Sequence, residues 1–266
     1  MKYITIPVLR HFLSALVLVF GATLAGCSAQ AQSARPVVAE RIDLIRHGES
    51  EDNADKGQMV AHLDGSISPS RGKVLSGWNS ASLTMMGVAQ AVKTGEALRK
   101  QELEGAVPLR DALWLYSPLL RTRQTFSGIL TGAGLEGVGV RSRPDTRLFE
   151  RSAGDLTNLT WEEAAQVWPE MKKGRDAAVF KQAAAGYPNG ESLEIVYHRA
   201  AAAIDDATAS ERRVIVVSHE LTLKALVAYL TRGKIDDDAF KLQVKNVAVL
   251  TLLRRDGKWQ LAPAQP

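Results

Sequence analysis

The chain has 266 residues, 45% hydrophobic and 23% charged, a balance that suits one α/β domain and excludes a disordered or low-complexity protein. The formal net charge is +4, and Lys2 and Arg10 within it belong to a segment that reads as removable, so no nucleic-acid partner is implied. Cys27 is the single cysteine, which excludes a structural disulfide.

In chain order, the first segment reads as an export signal: basic Lys2 and Arg10, an apolar stretch over 12–24, then Leu24-Ala25-Gly26-Cys27. Small residues before a thiol resemble a bacterial lipobox, with Cys27 as the lipidation site. The alternative is an ordinary secretory signal cut after Ala31, in the small-x-small run Ala29-Gln30-Ala31. A retained membrane span fails on length, because the apolar stretch is well short of the roughly twenty residues required. The expected organisation is a signal peptide over 1–26, a small, polar, proline-containing tether over 27–38, and one folded domain over 39–266. The mature protein is expected outside the cytoplasm. It sits either on the periplasmic face of a bacterial membrane through a lipid at Cys27, or free in the periplasm or medium. Ser28 after the cysteine resembles the outer-membrane sorting pattern.

A strand is predicted over 41–45, followed by a Gly-, Ser-, Lys- and Asp-rich surface insertion over 54–76. Apolar spacing predicts a helix over 83–100 with Thr84 as N-cap, a strand over 112–115, a helix over 118–131 and a strand over 138–143. Helices are predicted over 161–171 and 192–209, a fully apolar strand over 214–218 and a helix over 221–231. A last strand over 247–254 should pair with 258–261 across Asp256-Gly257. Alternating strands and helices with continuous apolar strands predict a three-layer α/β/α sandwich with a mainly parallel central sheet. The segments between Glu150 and His219 are expected to form a lid over the strand ends.

Chemistry-bearing residues gather where predicted strands end. Arg46-His47-Gly48-Glu49 follows the first strand and His219 follows the strand over 214–218. Arg121 opens the helix after the strand over 112–115. In open α/β sheets ligands bind at the carboxyl ends of strands, where free backbone N–H groups favour anions. Guanidiniums bind phosphate oxygens bidentately, and a neutral imidazole can attack phosphorus and carry the phosphoryl group. Two histidines and two arginines at one edge therefore suit phosphoryl transfer through a phosphohistidine.

The chain resembles the histidine phosphatase superfamily, in its phosphoglycerate-mutase-like branch, from about Arg41 to about Leu253. The matching pieces are Arg46-His47-Gly48-Glu49-Ser50 with Asn53, Gly77-Trp78, Leu83-Thr84 with Gly87 and Gln90-Ala91, and Ser117-Pro118-Leu119 with Arg121-Thr122 and Gln124-Thr125. Further along come Leu148 with Glu150-Arg151, Gly190-Glu191-Ser192 and Val217-Ser218-His219. The resemblance implies His47 as nucleophile, Arg46, Arg121 and His219 as phosphate holders and Glu150 as proton donor. An alkoxide leaving group needs a proton, which a carboxyl poised near neutrality supplies. No metal or other cofactor is expected, because positive side chains already face the equatorial oxygens.

Other residues carry weaker signals. Asn53 and Ser50 are candidates for the substrate pocket or for a turn. Glu220 departs from the family, which often has glycine after the second histidine. An acidic residue there donates the proton in the acid-phosphatase branch, which makes Glu220 a rival to Glu150 and a candidate substrate contact. His62 with Asp64 supplies too few ligands for a metal and is expected to be exposed. His198 is expected to be structural, and Trp161 and Trp168 to shape the pocket or pack the lid.

The stretch from Glu150 to His219 is shorter than in family mutases, which must keep water from a phosphohistidine. The shorter lid and the export signal favour a phosphatase acting on a small phosphorylated substrate. The alternatives are a mutase-like phosphotransferase and a catalytically silent binding lipoprotein on the same fold.

Overall fold

A computed structural model describes residues 39–103 and 108–263. The segments expected as signal peptide and tether, with the expected lipidation site Cys27, fall on residues 1–38 and lie outside the described residues. In chain order the elements are β1 (Arg41–Arg46), β2 (Met59–Ala61), β3 (Ile67–Pro69), α1 (Met85–Leu103), β4 (Leu113–Tyr116), α2 (Leu120–Ala133) and β5 (Ser142–Pro144). They continue with α3 (Trp161–Val167), α4 (Leu193–Thr208), β6 (Arg213–Ser218), α5 (Glu220–Arg232), β7 (Val249–Arg255) and β8 (Lys258–Leu261).

The main sheet has the order β5-β4-β6-β1-β7-β8. The first four strands run parallel, β7 is antiparallel to β1, and β8 returns antiparallel to β7. Asp256 and Gly257 join the last two strands with φ of 50° and 75°. Two successive positive φ values define the type I′ turn that matches the twist of a two-residue hairpin. Ile42, Leu44, Val214 and Val216 pack on one face against Ala200 and Ile204 of α4 and Leu223 and Leu226 of α5. Ile45, Trp114, Ile215 and Val217 pack on the other against Ala91 and Leu98 of α1 and Ile129 of α2. Each such aliphatic side chain contributes about 1.5–3 kcal/mol on burial, so the fully buried β6 anchors both layers. This is the expected three-layer sandwich.

Four local expectations change. The strand predicted over 138–143 is reduced to β5, because Gly137 has φ of 74° and a tight turn joins Val138 to Val140. The helix predicted over 161–171 stops at Val167: Pro169 forces Trp168 into an extended conformation, and a 3-10 segment, Pro169–Asp176, follows. Only part of the expected lid caps the strand ends. Residues of 153–187 form their own cluster around Leu156, Ala164, Met171 and Val179, whereas α4 packs on the sheet. The insertion over 54–76 holds a hairpin, β2 with β3, that turns Val60 inward. Among the described residues, no helix is long and apolar enough to cross a membrane.

Candidate active site

The register of the two central strands builds the site. β1 and β6 pair with Arg46 opposite Ser218, so the next residues, His47 and His219, leave the sheet together. The His47 amide donates to the Ser218 carbonyl at 2.9 Å, and the two rings meet edge-on with centroids 5.3 Å apart. Both are buried.

Motif residues around His47 act as scaffolding. The Gly48 amide donates to Thr125 Oγ1 at 2.9 Å, the Glu49 amide to Gln90 Oε1 at 2.9 Å and the Leu83 amide to Gln124 Oε1 at 2.8 Å. Thr84 caps α1 as predicted, accepting from the Gly87 amide at 3.0 Å and donating to Glu49 Oε1 at 2.8 Å. A Cβ on Gly48 would lie 2.5 Å from the Gly87 carbonyl oxygen, and one on Gly87 would collide with the Glu49 carbonyl. Only two glycines let the loop after β1 press against the first turn of α1.

His47 Nδ1 lies 2.7 Å from the Gly48 carbonyl oxygen. A carbonyl only accepts, so Nδ1 carries the proton and Nε2 keeps its lone pair. Burial, then the charges of Arg121 and Arg46, hold the His47 pKa well below its ordinary value, and burial and Arg121 do the same to His219. Both rings are neutral at physiological pH. His219 Nε2 contacts Ser117 Oγ at 2.8 Å, while its buried Nδ1 has no partner.

Arg121 donates from Nη2 to the Gly77 carbonyl at 2.9 Å and from Nη1 to the Asn79 carbonyl and Oδ1, both at 3.2 Å. Arg46 donates from Nη1 to the Val244 carbonyl at 2.7 Å and pairs with Glu220 at 3.0 Å. Nε of each arginine is buried without a partner, as is His219 Nδ1. Buried donors are almost always satisfied. Arg46 and Arg121 line one cavity with His47, and His219 packs against the His47 ring, so two guanidiniums and two imidazoles gather where the oxygens of a tetrahedral anion can be held.

Glu150, Asn53 and Glu220 line the same cavity of about 700 Å³, together with Arg151, Arg175 and Lys245. Glu150 Oε1 accepts from the Arg151 amide at 2.8 Å, and burial raises its pKa against the opposing pull of that bond and of Arg121. Burial also pushes Glu220 upward, but Arg46 and Lys224 outweigh it, and the net shift is downward. The two rival carboxyls thus sit in opposite environments. Asn53 Oδ1 accepts from the Ser50 amide and from Asn246 Nδ2, so it serves both a turn and the cavity wall.

His62 is more enclosed than expected, bonded to Glu51 at 2.8 Å and to Ser68 at 2.8 Å where the hairpin folds back. Among the described residues, no group of three or more His, Cys, Asp or Glu lies placed to hold a metal ion. His198 is exposed against Tyr197. Trp161 lines the cavity, stacked on Phe180 at 4.9 Å, while Trp168 packs within the cap against Tyr187.

Sequence reasoning missed Asn246, Asn79 and the separate role of Arg151. Asn246 donates to the His47 carbonyl at 3.0 Å. The buried Arg151 guanidinium lies 4.3 Å from the Tyr187 ring centre with Nε and Nη2 unpartnered. Arg151 was visible as the residue after Glu150, but no local pattern marks Asn246 or Asn79.

The model of the histidine phosphatase superfamily (branch 1) matches residues 42–264. The chain is similar to 2,3-bisphosphoglycerate-dependent phosphoglycerate mutases. It is 30% identical to that of Afipia carboxidovorans, over 71% of this chain and 80% of that protein. The corresponding protein of Methylobacterium radiotolerans is 28% identical, over 70% and 77%. Among solved structures it resembles a mycobacterial glucosyl-3-phosphoglycerate phosphatase complexed with VO3, with a TM-score of 0.65 and 26% identity, covering 84% of this chain and 98% of that one.

Proposed function

The chain belongs to branch 1 of the histidine phosphatase superfamily, and from that membership we propose that it hydrolyses small phosphate monoesters through a phosphohistidine, outside the cytoplasm. The observation that carries the reading is His47, whose Nδ1 is bonded to the Gly48 carbonyl so that Nε2 keeps its lone pair, on one cavity with Arg46 and Arg121 and with His219 against its ring.

His47 Nε2 attacks phosphorus as the P–O bond to the alcohol breaks, while Arg46, Arg121 and His219 hold the equatorial oxygens. Glu150, whose hold on a proton is strengthened by burial, gives its proton to the departing oxygen. Water then attacks the phosphohistidine, its proton passes to the Glu150 carboxylate, and the N–P bond breaks to regenerate His47. Glu220, drawn down by Arg46 and Lys224, acts as a fixed anion that orients Arg46. Arg151 and Arg175 at the cavity wall suit an anionic substrate.

The test is hydrolysis of alkyl and aryl phosphates by the purified mature protein with and without chelator. Release of inorganic phosphate is expected at an unchanged rate in chelator, because the positive charge comes from side chains. Loss in chelator, restored by a divalent ion, overturns the mechanism. A mutase-like reading is favoured by the similarity to curated mutases; phosphoryl transfer to a second substrate without phosphate release would establish it.

Export and anchoring rest on the sequence around Cys27. Cys27→Ala is expected to move the protein from the membrane fraction to the soluble periplasm and to abolish fatty-acid labelling. A wild-type protein that is unlabelled and begins at Gln32 points to the ordinary signal instead.

A further inference from the structure

The segment that carries Glu150 has no strand or helix of its own to hold it, since only a short 3-10 turn, Thr146–Leu148, precedes it. Its carbonyls are satisfied instead by side chains from elsewhere. Arg199 Nη1 donates to the Arg147 carbonyl at 2.7 Å and to the Phe149 carbonyl at 2.8 Å, and Nη2 donates to the Glu150 carbonyl at 3.0 Å. Ser218 Oγ donates to the Leu148 carbonyl at 2.8 Å, Thr222 Oγ1 to Phe149 at 2.7 Å and Trp78 Nε1 to Glu150 at 2.6 Å. Four consecutive carbonyls are thereby fixed.

The remaining N–H groups of Arg199 go to one carboxylate. Nε reaches Glu191 Oε1 at 2.9 Å and Nη2 reaches Oε2 at 2.8 Å. All five guanidinium donors are thus engaged. Glu191 Oε2 also accepts from the Ser152 amide at 2.9 Å, and the Glu191 amide donates to the Ser152 carbonyl at 3.1 Å. The pair grips the chain on both sides of Glu150, and both side chains are largely buried, at 17% and 13% exposure.

We propose that Glu191 and Arg199 form a positioning clamp that fixes the backbone from Arg147 to Ser152 and so aims the Glu150 carboxyl at the leaving oxygen. This rests on Glu150 being the proton donor. Neither residue lines the cavity, so both act through Glu150 and are positioning residues. The inference accounts for Gly190-Glu191-Ser192, a motif that the phosphoryl chemistry leaves unused. Arginine is required because lysine has three donors on a single nitrogen and cannot span three carbonyls and a carboxylate.

The test compares Arg199→Lys, Glu191→Gln and Glu150→Gln on an alkyl phosphate and on an activated aryl phosphate. A small misplacement of a catalytic group costs on the order of 10²-fold. Arg199→Lys is therefore expected to lower alkyl phosphate kcat/KM by about 10²-fold and to change aryl phosphate hydrolysis by less than about threefold, because a good leaving group needs no acid. In the double variant with Glu150→Gln, Arg199→Lys should add no further alkyl-specific loss. Equal slowing of both substrates, or full additivity in the double variant, overturns the clamp. An absence of alkyl selectivity in Glu150→Gln itself overturns the donor assignment instead. If Arg199→Lys does not fold, Glu191→Gln, which preserves shape and removes the charge, carries the same comparison.

Discussion

His47 is the residue on which the proposed chemistry depends, and its environment makes a specific demand. Nδ1 is committed to the Gly48 carbonyl, so Nε2 is the only nitrogen free to bond phosphorus. His47→Ala is expected to lower turnover by several orders of magnitude with folding retained, because removing a nucleophile disables the whole unit. Acid-quenched protein should carry labelled phosphate on His47; label on His219 alone would reverse the assignment. Arg121→Ala removes one of the guanidiniums that line the cavity with His47, and should cost on the order of 10²–10³ in kcat. Of the two carboxyls, Glu150 is raised by burial and Glu220 is lowered by Arg46 and Lys224. Glu150→Gln should therefore cripple alkyl phosphate hydrolysis and spare activated aryl phosphates, whereas Glu220→Gln should slow both alike. A selective defect in Glu220→Gln would exchange their roles. Because Glu150 acts protonated in the first step, kcat/KM for alkyl substrates should fall as pH rises through its elevated pKa. Glu150→Gln should abolish that limb.

At the scale of elements, β1 is tied to both neighbours by one buried carboxylate. Asp43 accepts from Arg213 Nη2 of β6 at 2.7 Å, from Arg41 Nε at 2.9 Å and from Thr251 Oγ1 of β7 at 2.8 Å. Asp43 and Arg213 are almost wholly buried. Removing one partner leaves an uncompensated charge inside, so Asp43→Ala should lower stability by about 3–5 kcal/mol in denaturant titration. This contact joins β1 to β6 from within the strand pair, and the register of that pair sets His47 beside His219. A folded Asp43→Ala protein with unchanged stability would show that hydrophobic packing alone fixes the pairing.

For the whole molecule, burying two neutral imidazoles ties folding to pH. The folded-state pKa values of His47 and His219 are depressed, so the unfolded chain binds more protons between those values and the ordinary one near 6.5. Their contribution to stability is therefore complete above pH ~6.5 and is lost as pH falls through the depressed values. Melting temperature should drop between about pH 7.5 and about pH 5, and His219→Asn should flatten that slope. An equal slope in wild type and His219→Asn would assign the acid sensitivity to other groups. Phosphate should raise the melting temperature, because an anion bound between the cavity's guanidiniums binds the folded chain and not the unfolded one.

The sequence alone determined the layered α/β architecture and which charged and imidazole side chains gather at the strand ends, because both are written locally. Apolar runs such as Val214-Ile215-Val216-Val217 declare buried strands, and Arg46, His47, Arg121 and His219 lie within a few residues of strand ends, where the chain leaves the sheet for a loop or helix. Tertiary structure alone decided what depends on partners distant in the chain. Glu150 follows a short 3-10 turn and Glu220 opens α5, and the ion pairs that Glu220 makes with Arg46 and Lys224 set its pKa moving down while burial moves that of Glu150 up. Asn246 reaches His47 across 199 positions and Arg199 reaches Arg147 across 52, distances at which no spacing rule operates. The assignment of α4 to the sheet layer rather than the cap was likewise settled by which face of Ala200 and Ile204 found an apolar partner, a matter of three-dimensional complementarity that helical periodicity does not encode.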